Sequence, residues 1–233
     1  MKKLVALLSI LILSSCAELQ SVVDNLPNQT GIDNATIASG LRQALDFGIE
    51  KQVTKLTQKD GFYGNSLVKI LLPEELQKVD QTLRNVGLSS LADEGLKVLN
   101  RAAEDAVSEA TPIFVDAVKG ITFADAKTIL LGADDSATTY LQNKTSTQLY
   151  DKFNPVIKSS FSKVGADQIW SNLITKYNAL PLTNDVNPDL TDYVTQEALK
   201  GVYTMIAVEE KEIRTDFSAR TTTLLKKVFA LQD

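Results

Sequence analysis

Acidic side chains crowd one turn of a predicted helix near the C-terminus. The stretch "MIAVEEKEIRTDF" contains Glu209, Glu210 and Glu212, and Arg214 follows Glu210 by four residues. Apolar residues around it recur at alternating steps of three and four, the spacing of a core-facing helical face, and Glu210 occupies one position of that face. A carboxylate there can pair with a buried arginine, line a ligand cavity or act in acid–base catalysis. The apolar positions are Leu199, Tyr203, Ile206, Ile213 and Phe217.

A second polar group lies in "NRAAEDA", where Asn100, Arg101 and Glu104 stand beside an apolar helical face. We expect Glu210 to form a buried ion pair with an arginine of another helix, such as Arg101, while Arg214 assists from its own helix. In the alternative interpretation, the same groups form a polar pocket that receives a ligand.

Catalysis by two carboxylates is a further alternative, for which Glu209 and Glu210 are the only candidates. Glycoside hydrolysis by a carboxylate pair normally requires an open cleft with aromatic platforms for the sugar. Trp170 is the only tryptophan in the sequence. We therefore assign no catalytic residue and do not expect an enzyme.

Two residue types that support much of enzyme chemistry are scarce. Histidine is absent and cysteine occurs once, at Cys16. These facts exclude Ser-His-Asp and Cys-His catalysis, histidine-ligated zinc or haem, and disulfides within one chain. The net charge of −5 argues against a nucleic-acid partner, which would demand a basic surface. We expect no cofactor.

One stretch partly matches a calcium-binding loop. The segment "NDVNPDLTD" contains Asp185, Asn187 and Asp189 at the alternating positions that open such a loop. Leu190 stands where the turn glycine belongs, and Gln196 stands where the bidentate glutamate belongs. We therefore predict a solvated turn and helix cap, and no metal site.

The N-terminus, "MKKLVALLSILILSSC", has the layout of a secretory signal peptide, with two lysines, an apolar run and small residues. The apolar run is too short for a permanent membrane-spanning helix. Its end resembles the bacterial lipobox, where cleavage precedes an acylated cysteine that carries chains such as palmitate. We expect residues 1–15 to be removed, Cys16 to be lipidated, and residues 16–33 to form a tether. Ala17 replaces the aspartate that retains enteric-type lipoproteins in the inner membrane, which favours the outer membrane.

Beyond the tether, the periodicity predicts helix after helix, and no interior segment shows repeated strand alternation. No stretch is rich enough in proline or serine to separate two domains. We predict that residues 34–233 form a single all-α domain, a multi-helix orthogonal or bundle-like arrangement.

Helix starts are signalled by residues whose side chains can accept a hydrogen bond from the first helical turn. We expect Asn34 or Thr36 to cap the first helix. Thr122 should cap another, and Asp134 or Asp135 should cap the helix that follows it.

Helix interruptions are signalled by proline. Pro112 is expected to kink a helix, because its ring opposes the carbonyl four residues earlier. We expect separate helices at 135–144 and 146–164, the second bent near Pro155. Residues 66–72 should be extended or irregular.

Several stretches together resemble one uncharacterised bacterial envelope family, domain of unknown function 4197. The resemblance covers about residues 37–230 and implies secretion or lipid anchoring, but it supplies no activity and no catalytic residue. Phe217 and Tyr203 depart from the proline and phenylalanine expected in many relatives. The matching stretches are "LLPEEL", "NRAAEDA", "ITFADAKTILLGADDSATTYL", "NPVIKSSFSKVG", "DLTDYVTQEALKGV" and "EEKEIRTDFSARTTTLLKKVF".

The sequence thus predicts a lipid-anchored envelope protein that binds a ligand or partner through its helical body without catalysis. Its expected partners are the membrane, through the lipid on Cys16, and an unknown envelope protein or small molecule. The alternatives are an envelope hydrolase that uses carboxylates and a structural or assembly accessory. The amphipathic helix in "RTTTLLKKVF" is expected to dock on the domain in preference to lipid.

Overall fold

The computed structural model describes residues 32–85, 89–163 and 189–233, together with 165, 168, 170, 171, 174 and 175. These residues are largely helical and contain no strand, so the all-α prediction is confirmed. The helices of the described residues are α1 (Asn34–Thr57), α2 (Glu74–Asn85), α3 (Ser89–Val107), α4 (Ala110–Lys119), α5 (Phe123–Leu130), α6 (Ser136–Lys163), α7 (Thr191–Thr215) and α8 (Thr223–Phe229), with a 3-10 turn at Phe217–Ala219 before α8.

The starts of α1 and α5 follow local capping chemistry. The Asp33 carboxylate accepts a hydrogen bond of 2.7 Å from the Thr36 backbone N–H. Asp33 is therefore the cap of α1, and neither Asn34 nor Thr36 is. Thr122 and Asp125 form the reciprocal capping box of α5, which confirms the expected Thr122 cap.

The two helix interruptions differ from the predictions. Pro112 does not kink a helix, because α3 ends at Val107 and α4 begins at Ala110, which leaves the proline in a first turn where its missing N–H has no structural cost. Pro155 lies inside α6, which is one continuous helix and not two. The buried side chains of Leu149, Phe153 and Ile157 offset the local cost of that proline.

The core lies between four long helices. Helix α6 packs against α3 and α7, while α1 packs against α7, α3, α4, α5 and α8. The last helix, α8, packs on the first half of α1, as expected for a helix that docks on the domain. This contact is close: a methyl group on Gly40 would lie 2.5 Å from a methyl carbon of Val228. The N-terminal and C-terminal helices therefore belong to one packed unit.

Residues 66–72, between α1 and α2, form a turn followed by extended chain, which confirms the irregular segment expected there. Val68, Ile70 and Leu72 are buried, whereas Leu67 and Leu71 are 62% and 56% exposed. This alternation is the period of an extended chain with one face against a core. The segment presents its other face, with both exposed leucines, to solvent.

The segment that partly matches a calcium-binding loop lies at the edge of the described residues. Asp185 and Asn187 lie outside the described residues, while Asp189 accepts a hydrogen bond of 2.9 Å from the Thr191 N–H at the start of α7. Phe217 does not extend the buried face of α7, because the helix ends at Thr215 and the Phe217 side chain is 60% exposed. Across the described ranges, no helix is long and apolar enough to span a bilayer.

Candidate functional site

Glu210 caps a helix to which it does not belong. Its Oε1 atom accepts a hydrogen bond of 2.8 Å from the Ala137 N–H, and its Oε2 atom accepts bonds of 2.8 Å from the N–H and the hydroxyl of Thr138. These N–H groups belong to the first turn of α6, where no carbonyl within the helix is available to them. The predicted cap residues, Asp134 and Asp135, do not take these two N–H groups, because Glu210 of α7 accepts them instead.

Arg214 binds both Glu210 and the C-terminal end of the preceding helix, α5. Its guanidinium donates to Glu210 Oε1 at 2.8 and 3.0 Å. It also donates to the carbonyl oxygens of Ile129 and Leu130, at 2.9 and 3.0 Å, at the C-terminal end of α5. The negative carboxylate thus meets the positive end of α6, and the positive guanidinium meets the negative end of α5. The pair joins the ends of two consecutive helices.

Arg101 is not the partner of Glu210, so that expectation is wrong. Its guanidinium instead bonds Glu104 on its own helix and the Asp60 carboxylate at 2.8 Å. Glu104 also accepts the Phe62 N–H at 3.1 Å. These contacts fasten the turn after α1, in which Asp60 has a φ of +67°. The apolar spacing around Arg101 placed it correctly on a helix that packs against the core. Its partners depend on tertiary packing, which brings it to this turn.

Asn100, which is fully buried, holds the extended segment against α3. Its side-chain oxygen accepts the Ile70 N–H at 2.8 Å, and its side-chain nitrogen donates to the Ile70 carbonyl at 2.9 Å. The same nitrogen donates to the Leu96 carbonyl at 2.8 Å. The amide thereby pairs both backbone groups of Ile70 as a neighbouring strand would.

Glu209 forms a separate ion pair between α7 and α1. Its carboxylate accepts hydrogen bonds from Lys51 at 2.8 Å and from Gln52 at 2.7 Å. The hydrogen bond that Lys51 donates to Glu209 raises the pKa of Lys51 above its usual value. Glu209 and Glu210 both line an interior cavity of about 20 Å³, which is room for roughly one water molecule.

The six predicted polar-site residues therefore fall into four separate groups, and each group is hydrogen-bonded within the protein: Asn100, Arg101 with Glu104, Glu209, and Glu210 with Arg214. They do not share one pocket with unpaired carboxylates. Within the described ranges, no group of three or more acidic or other ligating side chains is arranged to hold a metal ion. The six residues are Asn100, Arg101, Glu104, Glu209, Glu210 and Arg214.

Arg220 is a buried structural residue that the sequence pattern did not reveal. It is 1% exposed and donates to the carbonyls of Ile213 and Arg214 at the end of α7, at 3.0 and 2.8 Å. It also pairs with both carboxylate oxygens of Asp233, at 2.7 and 2.8 Å. This pairing lowers the pKa of the Asp233 carboxyl. The only available signal was its position a few residues after a helix end, where cations are favourable.

Two clefts lie beside the exposed side of α7. One is a groove of about 630 Å³ between residues 67–73 and α7, which we call the leucine groove because Leu67 and Leu71 line it. Tyr193 closes one part of it by donating to the Leu71 carbonyl at 2.8 Å. The second, of about 520 Å³, lies between α7 and the start of α6 and shares Lys200 with the first.

Comparison with known families accounts for nearly the whole helical domain. The profile of a family described as protein of unknown function (DUF4197) matches residues 31–230. The chain belongs to this family. The matched region begins just before the Asp33 cap and runs past the end of α8, so the family unit and the helical domain coincide. No curated protein and no solved structure matches the chain.

Proposed function

We propose that this member of the DUF4197 family is a lipid-anchored envelope protein, acylated at Cys16, whose helical domain binds a ligand or a partner protein without catalysing a reaction. The lipobox-like "LILSSC" supports the anchor, and the absence of aspartate after Cys16 supports the outer membrane as its destination. The proposed anchor leaves the helical domain beside the membrane and available to other envelope components.

The observation that carries the binding proposal is the leucine groove. Its volume of about 630 Å³ falls in the range of small-molecule and peptide sites. Leu67 and Leu71 are 62% and 56% exposed at its wall, while the alternate residues of the same segment are buried. Large apolar side chains exposed beside a cleft are typical of a binding surface.

Polar groups around the groove give it a mixed character. Lys69, Glu197 and Lys200 line it, and Lys200 lies 3.6 Å from Glu197 in an exposed ion pair. A bound molecule would cover the leucines with apolar groups and direct polar groups to this charged rim. The groove therefore fits an amphipathic ligand or protein segment.

The carboxylate arrangement favours binding over hydrolysis. Glu209 is engaged by Lys51 and Gln52, and Glu210 is engaged by Arg214 and by the first turn of α6. Acid–base catalysis requires a carboxyl group within reach of a substrate. The cavity beside both carboxylates, at about 20 Å³, has no room for one.

The binding proposal is tested on the native, detergent-solubilised protein by mass-spectrometric identification of what co-purifies. A Leu71→Asp variant should lose that molecule, because a charge would interrupt the apolar wall of the groove. Phe123→Asp is the matched control, since Phe123 is 53% exposed and does not line the groove. Equal retention by both variants, or equal loss from both, would contradict binding at the leucine groove.

The anchor is tested separately by mass spectrometry of the N-terminal peptide of the mature protein. We expect Cys16 as the first residue, carrying acyl chains, because two or more chains give stable membrane attachment. Cys16→Ser should release the protein from membranes or block removal of residues 1–15. A mature protein with an unmodified Cys16 thiol would refute the anchor.

A further inference from the structure

The helical domain begins beside its own C-terminal helix. Asp33, the cap of α1, lies close enough to Lys227 of α8 for that ammonium to help lower the pKa of its carboxyl, after the larger effect of the hydrogen bonds with Thr36. Seven residues further along α1, Gly40 is in direct contact with Val228. The chain that leads back to Cys16 therefore joins the domain at α8.

Aromatic and basic side chains are exposed around this junction. Phe217 is 60% exposed, and the Lys226 Nζ atom lies 5.3 Å from the centre of its ring. Lys227 is exposed on the same short helix. We call these three residues the α8 surface. Aromatic rings flanked by lysines are the composition of protein surfaces that lie at the membrane–water interface.

A second exposed aromatic residue belongs to the same side of the domain. The Thr222 hydroxyl, at the start of α8, bonds the Gln43 side chain of α1 at 2.7 Å. Phe47 follows Gln43 by one helical turn, so the two share a face of α1. The Phe47 side chain is 44% exposed.

Three carboxylates near the α8 surface, those of Asp33, Asp216 and Asp233, are hydrogen-bonded within the protein, and these bonds lower their pKa values and keep them charged. Asp216 accepts hydrogen bonds from the N–H and hydroxyl of Ser218, and Asp233 pairs with Arg220. These contacts hold the carboxylates in local turns, whereas Lys226 and Lys227 extend from the exposed side of α8.

The length of the tether makes this side of the domain the easiest to bring to the bilayer. Seventeen residue steps separate Cys16 from Asp33, which is at most about 60 Å of fully extended chain. A tether of this length would hold the domain at an effective concentration of millimolar order relative to the surface that anchors it. A weak interaction is then sufficient to orient the domain.

We propose that the α8 surface rests on the phospholipid bilayer that holds the acyl chains of Cys16. Phe217 enters the headgroup region, and Lys226 and Lys227 lie at the level of the lipid phosphates. The buried side of α8 packs on α1, and only its exposed side contacts lipid. The inference rests on the proposed lipid anchor at Cys16.

The leucine groove lies at a distance from the α8 surface. The groove includes Lys200 and Gly201 of α7, whereas Phe217 follows the opposite end of that helix. At a rise of about 1.5 Å per residue, the helix separates the two sites by roughly 20 Å.

The test uses the full lipidated protein in vesicles of phosphatidylethanolamine and phosphatidylglycerol. Because Cys16 is the only cysteine in the sequence and its sulfur is alkylated in the lipidated protein, a cysteine introduced elsewhere labels uniquely. Thr223→Cys, at an exposed position of α8, retains Phe217 and carries an environment-sensitive fluorophore. Leu67→Cys, in the leucine groove, is the matched control.

We expect quenchers attached to lipid headgroups to quench the label at position 223 several-fold more than the label at position 67. Adding Phe217→Ser to the Thr223→Cys protein should bring the two labels to similar quenching. Equal quenching in the parent proteins, or stronger quenching at position 67, would overturn the orientation.

Flotation of the same vesicles separates the two hypotheses. Protein that floats with the vesicles while its labels are equally quenched retains the anchor and refutes docking by α8. Protein that does not float refutes the anchor itself, whatever the fluorescence.

Discussion

Replacing Glu210 by alanine should destabilise the protein strongly. The substitution removes five hydrogen bonds, three from the start of α6 and two from Arg214. Breaking one side of a buried ion pair typically costs about 3–5 kcal/mol of unfolding free energy. We expect a loss in that range, because the Ala137 and Thr138 N–H groups also lose their acceptor.

Glu212→Ala is the matched control on the same helix. The Glu212 side chain is 52% exposed and lies 3.7 Å from Lys51, so its removal should cost no more than about 0.5 kcal/mol. Urea unfolding of both variants, followed by circular dichroism, measures the difference. Equal, small losses would refute the structural role of Glu210.

A double variant separates the capping role from simple charge pairing. Joint replacement of a buried ion pair by apolar residues is often neutral. Glu210→Leu with Arg214→Met should nevertheless remain destabilised, because the N–H groups of Ala137 and Thr138 would stay buried without an acceptor. A double variant as stable as the parent would refute the capping argument.

Three further predictions concern packing and pH. Asn100→Leu should cost roughly 2–6 kcal/mol in urea unfolding, because the N–H and the carbonyl of Ile70 would each lose a partner at about 1–3 kcal/mol. The substitution should also speed hydrogen exchange at the Ile70 amide, and an unchanged exchange rate would contradict the prediction. Gly40→Ala should lower the free energy of unfolding by about 1–3 kcal/mol through overpacking against α8. Gly120→Ala is the control and should be nearly neutral, because its added methyl group would approach nothing closer than 3.4 Å. Equal thermal stability of the two variants would refute the close helix contact. Asp233→Asn should be less stable than the parent at neutral pH but not in acid. The lowered pKa of Asp233 in the folded protein contributes stability that is present above the unfolded pKa of about 3.9 and is lost as the pH falls through the folded pKa. A stability difference that persists unchanged in acid would exclude this linkage.

The fold class and the family could be predicted from the sequence because both depend on patterns along the chain. The Thr122 capping box spans four residues, and its two hydrogen bonds are visible in residue types alone. The extended chain at residues 66–72 was likewise signalled by its composition and the proline that follows. Local chemistry decides such features.

The partners of the buried polar groups could not be predicted, because they are chosen by tertiary packing. The position of Glu210 on an apolar face indicated that it is buried, and Arg214 was a visible neighbour four residues away. Nothing in the sequence indicates that the first turn of α6, more than 70 residues earlier, supplies its other donors. Arg220 was missed for a different reason: its partners are near in sequence, but they become available only through the turn that the chain makes after α7.

The corner between α5 and α6 has a consequence for the order in which the chain folds. Side chains of α7 bind the free carbonyl groups at the end of α5 and the free N–H groups at the start of α6. These side chains lie 72 to 85 positions later in the sequence. A chain that emerges from a ribosome or a translocation pore with only its first 200 residues cannot complete this corner, and α1 still lacks the cover of α8. Non-local contacts of this kind close late and slow the folding of the whole domain. The domain can therefore complete its fold only after α7 and α8 have been synthesised.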